Sequence, residues 1–122
     1  MSGFRLTPAG KLHLSENDIE AQCLAVAGRR GWWKARLHAG VFRTYDGQRV
    51  ITGLPKGTPD YAMLHPQHPG FLLETKAPGR KLNAEQCSRI SEIRICFGLA
   101  VCVTDSVDDF DRWLDAHEAR AP

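Results

Sequence analysis

Several features common in other protein classes are missing from this chain. No apolar run in its 122 residues approaches the roughly 18 to 20 residues that a membrane helix needs. The opening stretch Met1-Ser2-Gly3-Phe4-Arg5 has no apolar core of the kind a signal peptide carries. A cytoplasmic protein that does not enter the membrane is therefore expected. The four cysteines, Cys23, Cys87, Cys96 and Cys102, include no CxxC pair and read as reduced core thiols rather than disulfides or a zinc site. His65 and His68, each followed closely by a proline (Pro66, Pro69), read as a turn and not as metal ligands. Internal repeats and low-complexity segments are also missing. Net charge is small, at +2.

Small net charge hides an uneven distribution. Between Arg29 and Lys56 stand seven basic residues (Arg29, Arg30, Lys34, Arg36, Arg43, Arg49, Lys56) against one acid, Asp46. From Asp105 onward the balance reverses, with six acids against Arg112 and Arg120. A basic half of this kind fits a polyanionic partner, because phosphates favour clustered lysine and arginine. Hydrophobic content of 43% and charged content of 25% are those of an ordinary globular protein, and the length suits one domain.

The spacing of apolar residues predicts the elements. Residues 1 to 14 show no clear period and read as a flexible N-terminal arm, leaving 15–122 as a single domain. Ser15 reads as a helix N-cap with Asp18 in the first turn, and Ile19, Cys23, Leu24 and Val26-Ala27 recur at helical spacing. Gly28 or Gly31 ends that helix. Trp32 to Leu37 reads as a strand, with its tryptophans taken as packing residues, and residues 40 to 57 as an extended loop or irregular hairpin. Asp60 to Leu64 and Phe71 to Lys76 are the next two strands. Asn83 caps a helix running to about Phe97 and ended by Gly98. Leu99 to Thr104 is a continuous apolar run, as in a strand covered on both faces. A last helix runs from about Val107 to Ala119, with Phe110, Trp113 and Leu114 on one face. Helix, three strands, helix, strand, helix is an α/β order, with a central sheet flanked by helices.

Within that frame three polar residues are oddly placed. Glu74 and Lys76 lie two apart on an otherwise apolar strand and so project from the same face, which costs free energy unless a ligand or partner uses them. If the strand opened by Asp60 pairs with it, Asp60 meets Glu74 at one end of the sheet. Two carboxylates and a lysine suit phosphodiester hydrolysis. Mg²⁺ takes oxygen ligands and keeps several waters, so Asp60 and Glu74, with the Thr75 backbone carbonyl, are enough to hold it. Such a cation polarises a phosphoryl oxygen and lowers the pKa of a bound water. Lys76 can then orient that water or offset charge in the transition state.

The surrounding motifs are informative in combination. Gly57-Thr58-Pro59-Asp60, then Glu74-Thr75-Lys76, then Gly79-Arg80-Lys81-Leu82 with Gln86, resemble the GxPD, ExK and G-[KR]-L-S-xx-Q segments of the VRR-NUC branch of the PD-(D/E)XK nucleases. The resemblance covers roughly residues 15 to 115, with Asn83 standing where serine is usual. It implies a restriction-endonuclease-like core, a mixed central sheet in αβββαβ order. It also implies an acidic residue on the first helix near the metal, for which Glu16 and Glu20 both qualify. Gln86 would orient the water or a metal ligand. Lys34, Arg36, Arg43, Arg80 and Lys81 are the candidate DNA contacts.

By the same resemblance the chain is expected to be a Mg²⁺- or Mn²⁺-dependent DNA endonuclease. Small stand-alone members, found in bacteria and phages, act as homodimers on branched DNA such as four-way (Holliday) junctions, and a chain with no appended domain fits that type. Alternatives on the same scaffold are a flap, single-strand or restriction-like nuclease. Outside enzymes stand a non-catalytic nucleic-acid-binding module and a structural protein whose charges are ordinary ion pairs. The joint presence of Asp60, Glu74 and Lys76 argues against the non-catalytic module, and the flanking Gly57-to-Asp60 and Gly79-to-Gln86 segments argue against the structural one.

Overall fold

A computed structural model of the chain describes residues 4–6 and 12–120. Two short strands, β1 (Phe4–Leu6) and β2 (Leu12–Leu14), pair antiparallel ahead of the first helix. Helix α1 (Glu16–Arg29) starts where a capping box starts it. The Ser15 Oγ accepts from the Asp18 amide, and the Asp18 carboxylate accepts from the Ser15 amide at 2.7 Å, satisfying two of the otherwise unpaired donors of a helix start. The chain leaves α1 through Arg30 and Gly31, whose φ of +86° puts it in the left-handed region. A Cβ there would also lie 3.1 Å from His65 Nε2, so glycine is doubly favoured.

The central sheet has four strands in the order β3 (Trp33–Arg36), β6 (Tyr61–His65), β7 (His68–Thr75), β8 (Ala100–Thr104). The first three are mutually antiparallel and β8 runs parallel to β7. Between β3 and β6 the chain forms a separate ribbon, β4 (Val41–Arg43) with β5 (Val50–Thr52). The β6–β7 connection is a tight turn flanked by the paired His65 and His68, as the sequence predicts.

Strand alternation decides what each face buries. Phe71, Leu73, Met63 and Cys102 face Ile19, Cys23 and Ala27 of α1 and Phe110 and Leu114 of α3 (Val107–Glu118). Leu72, Val101 and Val103 face Ile90 and Ile93 of α2 (Ala84–Cys96) on the other side. Each fully buried aliphatic or aromatic side chain here contributes about 1.5–3 kcal/mol through the water it sheds. The fold is therefore mixed α/β, a four-stranded mixed sheet with helices on both faces.

Two expectations about the core need correction. Cys23 and Cys102 are buried, and burial pushes both thiols up to about 12, but Cys87 and Cys96 are exposed on α2. Nine-residue spacing on a helix does not return to the buried stripe, which here passes through Ile90 and Ile93. Trp32 packs in the core while Trp33, on the uncovered side of the edge strand, is 73% exposed. Among the described residues no helix is long and apolar enough to cross a membrane.

Candidate active site

The antiparallel pairing of β6 with β7 sets the geometry. Tyr61 lies opposite Leu73, so one step outward on each strand Asp60 lies opposite Glu74, on the α2 side of the sheet. Like charges placed directly across a strand pair are destabilising. Glu74 is only 3% exposed, and neither its carboxylate nor that of Asp60 takes part in an ion pair or hydrogen bond among the described residues. Burial, first, and then the Asp60 charge push the Glu74 carboxyl up to about 8. Lys76 opposes that rise, whereas Glu16 and Glu20 add to it. Both first-helix glutamates thus act on the same carboxylate, as their one-turn spacing on α1 allows.

Lys76 follows the last residue of β7 and extends its ladder, its amide donating to the Thr104 carbonyl at 2.9 Å. Its ammonium donates to Gln86 Oε1 at 3.2 Å. That same oxygen accepts from the Asn83 amide at 3.0 Å, while Asn83 Oδ1 accepts from the Gln86 amide at 2.8 Å. Gln86 is therefore fixed by the capping box of α2, and its engaged oxygen holds Lys76. The resemblance implies that Gln86 orients the water or a metal ligand; the contact it makes here is with the lysine.

The glycine before Thr58 has a physical explanation. Gly57 sits at φ +88°, and a Cβ on it would come within 2.7 Å of the Glu85 carbonyl oxygen in the first turn of α2. The loop leading to Asp60 is thereby pressed against the helix that carries Gln86. Arg89 Nε donates to the Lys56 carbonyl at 3.2 Å, and Lys56 Nζ lies 3.6 Å from Glu85, fastening the same contact. Pro59 is fully buried. Asp60, Glu74, Lys76 and Gln86 are gathered by this docking.

The remaining candidates lie further out. Thr75 is buried with its hydroxyl unpartnered, pointing to the face opposite Glu74. Arg36 lies over the Tyr61 ring, 5.3 Å from its centroid, and donates to the Tyr61 hydroxyl at 3.2 Å. That contact, then the charges of Asp60 and Glu20, raise the Arg36 guanidinium above its ordinary value. Lys34 and Glu20 line a groove of about 540 Å³ between α1 and the β3–β6 edge. Arg80 shares a small cleft with Lys76, while Lys81 is exposed beside it and Arg43 lies away on the ribbon. Sequence reasoning missed Asp105, whose carboxylate accepts from the Gly79 amide at 2.8 Å and so ties the loop after Lys76. Only the distance in sequence between those two residues hid it.

The donor set limits the choice of cation. Among the described residues no group of three or more His, Cys, Asp or Glu is gathered closely enough to hold a metal ion by itself. Two opposed, unpartnered carboxylates fit Mg²⁺ or Mn²⁺, which fill the rest of their shell with waters, backbone carbonyls and substrate phosphate. No known protein family, curated protein or solved structure matches the chain.

Proposed function

We propose that this chain is a Mg²⁺- or Mn²⁺-dependent DNA endonuclease with a PD-(D/E)XK-type core, selective for branched DNA and acting as a homodimer. One observation carries the reading: a buried glutamate opposed to an aspartate, neither in an ion pair among the described residues, beside a lysine that a glutamine holds in place. Asp60 and Glu74 would hold the ion, with Thr75 contributing its carbonyl and Glu16 or Glu20 approaching from α1. Bound there, the ion would supply Lewis acidity toward a phosphoryl oxygen and acidify water.

The chain's own groups do the rest. Lys76, anchored through Gln86 Oε1, places a positive charge beside the reacting phosphate and offsets the charge that develops on its oxygens. Its orientation is set before substrate arrives, so little reorganisation is needed at the moment of reaction. Arg80 shares a small cleft with Lys76, while Lys34 and Arg36, on the α1 side of β3 opposite Met63 and Tyr61, would meet DNA phosphates from the other face of the sheet edge. A second copy would find apolar surface on the uncovered side of β3 and β6, where Trp33 and Leu64 face each other across the strands and both are exposed.

The test is a panel of labelled duplex, flap, single-strand and four-way-junction DNA offered with Mg²⁺ and with Mn²⁺. Symmetric paired nicks across the junction are expected. Preference for flaps or single strands would replace the junction reading, and metal-independent or absent cleavage of every substrate would remove the nuclease reading.

A further inference from the structure

The ribbon between β3 and β6 stands outside the central sheet. β4 and β5 pair only with each other, and an isolated two-stranded ribbon is marginal in water. Its stem is tied to the candidate site: the Leu37 amide donates to the Asp60 carbonyl at 2.8 Å, and Leu54 donates to His38 and accepts from Gly40, each at 2.8 Å. The ribbon therefore leaves the sheet from the same end as the two opposed carboxylates.

What it displays is basic and aromatic. Arg43 lies opposite Val50, so Arg49 falls on the other face, and neither meets a carboxylate among the described residues. The one acid, Asp46, is engaged within the tip. The Thr44 hydroxyl and the Gln48 amide both donate to it, which holds its carboxyl below the ordinary value. Gly47, at φ +73°, donates to the Thr44 carbonyl at 2.8 Å and closes the turn. Tyr45 is left fully exposed at the point of the arm.

A tip closed by its own hydrogen bonds, a cation on each face and an exposed aromatic ring describe a surface made for contact. The major groove of duplex DNA, about 12 Å wide, admits a two-stranded ribbon and has phosphates along both sides. We infer that the 41–52 ribbon is a docking arm that enters a duplex groove beside the cleavage site, with Arg43 and Arg49 on phosphates and Tyr45 against the groove floor. This rests on the nuclease reading, and it identifies the duplex flanking the cut as what the enzyme grips.

The test uses the full chain and its Arg43→Ala/Arg49→Ala variant, with duplex binding followed by fluorescence anisotropy in Ca²⁺ over a range of salt. Metal-dependent cleavage is measured alongside. The variant should bind duplex at least ten-fold more weakly, with a salt slope shallower by about 2, since two phosphate contacts are lost. Cleavage should drop in kcat/KM and recover at saturating DNA. Tyr45→Ala should weaken binding several-fold with the salt slope unchanged. Unaltered duplex affinity and slope in the double variant would overturn the arm, as would a loss confined to single-stranded DNA. Arm-dependent binding with no cleavage by the parent chain in Mg²⁺ or Mn²⁺ would instead overturn the nuclease reading alone.

Discussion

Two groups of carboxylates on this molecule stand in opposite conditions. On α3, Asp111, Asp115 and Glu118 surround one guanidinium: Arg30 donates to them at 2.8, 2.6 and 2.6 Å. Trp32 Nε1 adds a further bond to Glu118 at 2.7 Å. Burial alone would raise the Glu118 carboxyl, but the bonds from Trp32 and Arg30 outweigh it and leave it below the ordinary range. At the end of β7 the outcome is reversed. Glu74 is more deeply buried, faces Asp60, and is pushed up to about 8. The first group is satisfied within the chain and joins α1 to α3. The second is left unsatisfied by the fold, which is the usual condition of a site that awaits a cation and substrate.

Breaking the unsatisfied group should have the larger effect on chemistry and none of the usual effect on stability. Asp60→Asn or Glu74→Gln is expected to reduce metal-dependent cleavage by about a thousandfold or more, because ion and water activation are lost together. In chelator at pH 8 the melting temperature of Glu74→Gln should equal or exceed that of the parent. A fall of several degrees would show that Glu74 is a structural residue.

The pH dependence of stability separates the groups next. Glu74 titrates near 8 in the folded chain and near its ordinary 4.5 when unfolded, so between those values the folded state holds the extra proton. Its contribution therefore declines as pH rises from about 4.5 to about 8, by a few kcal/mol at roughly 1.36 kcal/mol per unit. Denaturant titrations in chelator should show that decline, and Glu74→Gln should flatten it. Saturating Mn²⁺ should remove most of it.

Breaking the satisfied group should do the reverse. Arg30→Ala leaves three carboxylates facing one another and is expected to cost about 2 kcal/mol, read as a lower melting temperature, with cleavage per folded molecule unchanged. A loss of cleavage at full folding would tie Arg30 to the site. Gly57→Ala touches both the fold and the site. The positive φ alone costs a residue with a Cβ about 1–2 kcal/mol, and the 2.7 Å approach to the Glu85 backbone carbonyl adds to that. Displacing Asp60 from Lys76 should also slow cleavage at least ten-fold, which single-turnover rates would detect.

The same contrast explains what could be read from the sequence. The order of the three helices and of the four central strands follows from local periodicity, and the Ser15 and Asn83 caps from residues three positions away, so these were legible; the short β1–β2 pair was not, because residues 1 to 14 show no period. The meeting of Asp60 with Glu74 was legible too, since two strands joined by a short turn pair antiparallel and carry like positions to one face. The Arg30 cluster was not, because its partners lie more than eighty positions away on another helix. Gly57 appeared only as part of a motif; its reason is the Glu85 carbonyl, placed there by the docking of α2. The ribbon at 41–52 was legible only as far as an extended loop or irregular hairpin in a Gly-containing, basic stretch, because its strands of three residues each are too short to show a period.

Whether Asp60 and Glu74 form a divalent-cation site is decided by Mn²⁺ binding, followed by electron paramagnetic resonance on the parent chain and on Asp60→Asn/Glu74→Gln. The parent should bind at least one ion per chain, displaced by excess Mg²⁺, and the folded double variant none. Equal Mn²⁺ binding by the two proteins, or none by the parent, would contradict that site.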